Sequence, residues 1–397
     1  MDRRCFSLVA MGAAATAATW TYGQSETDKL KVAVIGHTGR GDYGHGLDTV
    51  WTRLPSTQVV AVADAHEGGL AKATEKLGLD AANGFLDYRK MLQAVRPEIV
   101  AVCPRHADQH RDMILSAINA GAKGVYVEKP FVRTPHESDE VLSACQQHNA
   151  LVAVAHRNRY HPTLKVVADL VKEGRIGRLL EIRGRGKGDR RGGGEDLWVL
   201  GSHVLNMIHY LAGKPTNCSA TLLQDGRRVT RDDVRDGAEG LGPLAGNELH
   251  ARFLLAGGVA AFFDTIANDG TRNHGFGLQL IGSEGVIAMR ADRDPLAHLI
   301  PGNPFQTAEK PRPWLPITSA GVDVAEPDPK LIGRVHHHDV AATDLVSAIK
   351  EGRQPLCNAA EGALTVEMIC SVFESHRQGS QAVAIPLRER EHPLLKL

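Results

Sequence analysis

The sequence predicts an α/β chain: a doubly wound parallel sheet first, then an α+β domain with an open, largely antiparallel sheet. Three observations carry this. Short β-branched runs alternate with helical stretches between residues 29 and 150, the pattern of parallel βαβ units. A glycine-rich turn follows the first of these runs, and an aspartate closes the second. In the second half, strand-like runs follow one another through hairpin turns such as Ala256-Gly257-Gly258 and Gly282-Ser283-Glu284-Gly285. A chain of 397 residues suits two domains. The expected division is a leader over 1–28, a first domain over 29–150 and a second over 151–397.

The leader is expected from Arg3-Arg4 ahead of a small, Ala-rich apolar run over 9–18, which resembles a twin-arginine export signal. That run is too short to span a bilayer, so the expectation is an exported, periplasmic protein with no membrane span. Lys plus Arg and Asp plus Glu balance at 46 each. The only basic clusters, around 185–191 and 227–235, are broken by Gly and Asp, which argues against a nucleic-acid partner. Six scattered cysteines, one of them in the leader, read as buried thiols rather than a disulfide framework.

In the first domain the runs over 30–35, 58–63, 98–102 and 124–127 read as strands, with helices over 69–77 and 106–120. After the first strand comes Gly36-His37-Thr38-Gly39-Arg40-Gly41. A strand running into such a turn aims backbone N–H groups and a helix N-terminus at a pyrophosphate. Thr38 stands at the second glycine place of the usual motif. Asp64 ends the second strand, where a carboxylate accepts from adenosine ribose hydroxyls and repels a 2′-phosphate. No Arg follows directly, so NAD is favoured over NADP.

Residues 151–155 read as one more strand, 163–173 as a crossover helix and 177–184 as a strand. The Gly/Arg-rich loop over 184–194 is long and polar, and its Lys187, Arg190 and Arg191 suit substrate hydroxyls or carboxylates as well as solvent. A helix over 196–211 carries His203. Strands follow over 218–224, 248–255, 259–265, 277–282 and 285–290, with the outer face of their sheet expected to be apolar enough to need a partner. Residues 301–329 are Pro-rich and read as an irregular wrap. Helices over 336–350 and 359–376 are expected to pack back on the first domain. Neighbours among His336, His337 and His338 on a helix point about 100° apart and cannot all bind one ion; no metal is expected. One of them reaching a substrate pocket, or a helix-start surface, are the remaining readings.

The segment Gly124-Val125-Tyr126-Val127-Glu128-Lys129-Pro130 resembles the signature of the Gfo/Idh/MocA oxidoreductases, the glucose–fructose oxidoreductase and inositol dehydrogenase family. Pro104 with His110, Arg159-Tyr160-His161-Pro162, Gly174-Arg175-Ile176-Gly177 and Leu200-Gly201-Ser202-His203 resemble further family segments. The resemblance runs from Lys31 to the C-terminus. It implies a Rossmann NAD(P)-binding domain, with Gly36, Thr38, Gly39, Arg40, Gly41, Asp64, Pro104, His110, Glu128, Lys129 and Pro130 at the cofactor. It also implies a substrate domain, Arg159 included, and a homo-oligomer, dimer or tetramer.

For chemistry, the resemblance makes Lys129 the catalytic lysine, its ammonium holding the reacting hydroxyl, with Glu128 orienting the lysine or the nicotinamide ribose. His203 is the candidate base. Many relatives carry Asp four residues before this His; here that place is Val199, and Asp196 or Glu195 either replaces it or only caps the helix after Gly192-Gly193-Gly194. The implied activity is oxidation or reduction of a secondary hydroxyl on a sugar, cyclitol or other polyol. Two alternatives stand beside it: a glycoside lyase or hydrolase that recycles its NAD, and a sugar-binding protein without catalysis. Export would favour NAD that stays bound.

Overall fold

The computed structural model describes residues 29–271 and 273–397; the export signal expected over 1–28 lies outside them. The first domain is a six-stranded parallel sheet of β1 (Leu30–Ile35), β2 (Thr57–Ala63), β3 (Gly84–Phe85), β4 (Ile99–Val102), β5 (Gly124–Val127) and β6 (Leu151–Val154), in the order β3-β2-β1-β4-β5-β6. Every residue of β4 and β5 is buried, as a parallel sheet covered on both faces requires. Crossover helices are Glu67–Lys76, Tyr88–Val95, His110–Asn119 and Pro135–His148. The sequence reading did not mark the second and fourth of these. The fourth is capped by Thr134, whose side chain accepts from the Glu137 N–H, with Pro135 in its first turn. Strand order reverses between β1 and β4, and the crevice at the carboxyl ends of these strands is the place this topology offers a ligand.

Two local expectations change. The glycine turn does not lead into a long helix: the chain runs through turns to Thr49, and only Val50–Arg53 is helical. Gly39, Gly41, Gly44 and Gly46 all lie at positive φ, which a right-handed helix cannot contain. The loop instead folds onto the strand-end beside it, where a Cβ on Gly41 would stand 2.4 Å from the Arg105 nitrogen. In addition, β6 lies past the expected boundary at 150 and completes the first sheet beside β5.

The second domain is built on a broad sheet. Its central strands are Gly277–Gly282, β7 (Leu179–Arg185), Ala260–Ile266, Glu248–Leu255 and β8 (Pro215–Gln224). Neighbours run antiparallel except β7 with Ala260–Ile266. Alternation sends Leu249, Ala251, Phe253 and Phe263 inward. Helices Ser202–Ala212 and Ala359–Arg377 cover this inner side. The opposite face is mixed rather than apolar: Glu181, Arg183, His250, Arg252 and Gln279 interleave with Leu254 and Phe262, and the Arg183 guanidinium lies 4.3 Å above the Phe262 ring. The Pro-rich stretch is also more regular than expected, since Leu315–Thr318 pairs antiparallel between Ala297–Pro301 and the short edge strand Gly321–Val322.

The C-terminal helices return to the first domain. Asp339–Glu351 packs on β5 and β6, and Ala359–Arg377 packs on both β8 and Pro135–His148. Cys103, Cys145, Cys218, Cys357 and Cys370 are free thiols, all buried or half-buried. No helix among the described residues is long and apolar enough to cross a membrane.

Candidate active site

The carboxyl end of β5 delivers Glu128 and Lys129 to the crevice, and His110 fixes the turn behind them. Its Nδ1 faces the Pro130 carbonyl at 2.8 Å and its Nε2 the Pro104 carbonyl at 2.7 Å. His110 is fully buried, so Pro104, His110 and Pro130 form a brace under the site rather than its wall. Burial would push the Glu128 carboxyl up, but His45 hydrogen-bonded to it and the neighbouring Lys129 charge hold it well below the usual carboxylate range. Lys129 is 6% exposed, and its Nζ donates to the Val199 carbonyl at 3.2 Å.

The second domain brings His203 to the same cavity. It starts the helix Ser202–Ala212 directly after a π turn over Leu197–Gly201, a distortion that re-aims helix side chains. Gly201 is needed there because a Cβ would meet the Phe263 ring at 2.6 Å. Burial, and then the Lys129 charge, lower the His203 pKa to about 3. The imidazole is therefore neutral at ordinary pH, and its buried Nδ1 has no partner. His156 packs edge-on against it, ring centroids 5.2 Å apart.

Lys187, Arg191 and His338 line this cavity too. His338 alone of the three adjacent histidines does so. Its Nδ1 meets the Tyr126 hydroxyl at 2.7 Å, and its buried Nε2 is unpartnered. Sequence reasoning missed five polar lining residues, His45, Arg105, Arg157, Glu239 and Asp292. Asp292 sits in a turn after the strand Gly285–Arg290 and pairs with Arg157 at 2.7 Å. Burial opposes its ionisation, yet the Arg157 guanidinium and the Asn158 amide hydrogen-bonded to it hold its carboxyl low. No motif marks it, since it lies 89 positions beyond His203 in the chain.

Three expected site residues face elsewhere. Asp196 is fully buried and its Oδ2 accepts from Thr265 and from the Lys187 N–H, so it anchors the 186–191 loop. Burial raises its pKa against those donors. Arg159 pairs with Glu361 at 3.1 Å and lies 3.6 Å above the Tyr210 ring. Arg190 is exposed and outside the cavity lining.

A second cavity opens at the ends of β1 and β2, bounded by Gly36, His37, Arg40, Asp64 and Tyr88. Within it Asp64 is saturated by its own chain. It accepts from the Thr38 N–H and hydroxyl, the Tyr43 hydroxyl at 2.8 Å and the His66 N–H at 2.9 Å. These donors hold its carboxyl below the usual range despite burial. Gly39 turns the loop outward, its N–H donating to Asp42. Between the two cavities the Arg105 N–H donates to the Gly41 carbonyl at 3.1 Å.

Residues 30–156 match the NAD-binding Rossmann-fold domain of the GFO/IDH/MocA oxidoreductases, and 168–385 match their C-terminal alpha/beta domain. The chain belongs to this family. A GFO/IDH/MocA relative, levoglucosan dehydrogenase of Pseudarthrobacter phenanthrenivorans, is 26% identical over 60% of this chain and 66% of its own. The D-apiose dehydrogenase of Paraburkholderia graminis is 22% identical over 92% of both chains. The fold matches that of a levoglucosan dehydrogenase solved with NADH and L-sorbose, with a TM-score of 0.71 and 22% identity over 91% of this chain and all of that one. In GFO/IDH/MocA terms, Lys129 and His203 are the two candidate reacting groups, and they arrive in one cavity from separate domains.

Proposed function

We propose that the protein is an NAD-dependent oxidoreductase acting on a secondary hydroxyl of a sugar or other polyol. One observation carries this: Lys129 and His203 line one cavity at the carboxyl end of a sheet whose family binds NAD there. The two similar dehydrogenases, named for levoglucosan and D-apiose, support a carbohydrate substrate.

The two cavities fit the two ends of a dinucleotide. Gly36, His37, Arg40 and Asp64 suit the adenosine side, where a carboxylate disfavours a 2′-phosphate and so NADP. Glu128, His45 and Lys129 suit the nicotinamide side. The Gly41–Arg105 segment between them would face the pyrophosphate, and Asp64 would accept from a ribose hydroxyl. When bound, NAD accepts the hydride from carbon. Lys129 holds the substrate hydroxyl and stabilises negative charge on its oxygen as the proton leaves. His203, held neutral, accepts that proton on a ring nitrogen. Val199, Leu200 and Ala155 are the apolar part of the wall and limit water.

The same reading places the protein outside the cytoplasm, supported by Arg3-Arg4 and the Ala-rich run after them, with its NAD retained through export. It also takes the protein to be a homo-oligomer. The test is to denature protein purified from its exported compartment, identify any released nucleotide by mass spectrometry, and then follow NADH formation over a sugar panel. Bound NAD(H) with NADH appearing on one sugar supports the reading. Failure to bind added NAD overturns it.

A further inference from the structure

The charge of the substrate cavity does not balance, and this bears on which sugars it takes. Each carboxylate in its wall already has a partner: Glu128 meets His45, Asp292 meets Arg157 at 2.7 Å, and Glu239 lies 3.9 Å from Arg105. The cations outnumber them. The Lys129 ammonium donates to the Val199 carbonyl and lies beside the Glu128 carboxylate, while Lys187 takes part in no ion pair among the described residues. Arg191 pairs with Asp189, which is on the same loop but outside the cavity lining. Surplus charge in a partly enclosed, polar-walled cavity is costly until an opposite charge joins it.

The remaining surface points the same way. No Phe, Tyr or Trp lines the cavity, so an uncharged sugar has no ring to stack on. The apolar lining is only Ala155, Val199 and Leu200. His203 and His338 line it as well, each with one buried ring nitrogen that has no partner. Lys187 is held beside the site because its N–H is tied to Asp196 at 3.0 Å.

Resting on the oxidoreductase reading above, we infer that the substrate is a sugar acid. Its reacting hydroxyl lies between Lys129 and His203, and its carboxylate lies toward Lys187 and Arg191. A carboxylate suits this site better than a phosphate. With Lys129 committed to the hydroxyl, one unmatched ammonium is left, and a phosphate monoester carries nearly two charges at neutral pH.

The experiment is titration calorimetry on the full chain saturated with NAD. D-glucose and D-glucuronate, D-galactose and D-galacturonate, and a glucose phosphate are each added separately, with NADH absorbance followed in parallel. A charge-assisted contact predicts that the acid of a pair binds more tightly than its neutral partner by on the order of 10- to 100-fold. That ratio shrinks with added salt, collapses in Lys187→Gln and returns in Lys187→Arg. Equal binding within each pair overturns the inference, as does tighter binding of the phosphate, no binding by either acid, or an unchanged ratio in Lys187→Gln. A neutral sugar that binds as well as its acid and yields NADH removes the sugar-acid inference and leaves the oxidoreductase reading intact. An acid that binds selectively to a protein unable to hold NAD does the reverse.

Discussion

Lys129 donates from its ammonium to the backbone carbonyl of Val199 across the domain boundary, at 3.2 Å. Val199 is the position where relatives were expected to supply an aspartate. Here the π turn over Leu197–Gly201 presents a main-chain oxygen instead. A carbonyl orients the lysine without neutralising it, so the ammonium beside Glu128 is still available to an alkoxide. Asp292, another carboxylate in the cavity wall, is occupied by Arg157.

Replacing Lys129 by Met removes this charge while keeping the length of the side chain. The turnover number is expected to fall by on the order of 10²- to 10⁴-fold, far more than NAD affinity, to which Lys129 is only one of several contributors at the nicotinamide end. Steady-state NADH formation and an NAD titration check both halves. A variant with normal turnover would remove Lys129 from the chemistry.

His203→Asn is expected to lose turnover on a similar scale, and the unaltered enzyme carries a pH signature of the residue. Its pKa is lowered to about 3, so the imidazole keeps its proton-accepting nitrogen as pH falls from 8 to 5. The kcat profile should therefore show no acid limb centred near the ordinary histidine value of about 6.5. An acid limb there that vanishes in the Asn variant would contradict the buried, neutral assignment.

Stability should fall with acid over the same range. His161 and His338 are lowered to about 4, and His203 and His209 to about 3, each mainly by burial. In the unfolded chain they titrate near 6.5, so between roughly pH 6.5 and 4 the unfolded state binds protons that the folded state does not. Stability contributed by these groups is complete above about 6.5 and declines as pH drops, by up to about 1.4 kcal/mol per pH unit for each. Denaturant midpoints measured from pH 8 to 4.5 should decrease monotonically. A flat series would mean these rings are more accessible than the structure has them.

Asp196→Ala separates an anchor from a catalyst. Losing the acceptor of Thr265 and of the Lys187 N–H should cost about 1–3 kcal/mol of stability. Freeing the loop should raise KM more than it lowers kcat. Thermal melts and Michaelis curves read this together, and a kcat loss near 10³ with an unchanged melt would restore Asp196 to the chemistry.

Much of this was legible before folding was considered. Val32 to Ile35, Ile99 to Val102 and Val125 to Val127 read as strands because a sheet covered on both faces demands continuous apolar runs, and all are buried. Glu128 and Lys129 were placed by chain adjacency: whatever follows a parallel strand emerges at its carboxyl end. The glycine loop was legible in composition but not in course. Four glycines at positive φ allow many paths, and contacts with Arg105 and Glu128 select one.

By itself, then, the sequence determined the two-domain α/β plan, the strand-end position of Lys129 and the helix that bears His203. Each of these follows from local periodicity or from neighbours along the chain. Tertiary structure decided which charges face the cavity. It brought in Arg157 and Asp292 and chose His338 over His336 and His337. It turned Arg159 toward Glu361 and Tyr210, and Asp196 toward Thr265. The physical reason is that burial pattern is written in the spacing of residues, whereas a buried charge goes wherever its partner is, and that partner is 69 positions away for Asp196 and 202 for Arg159.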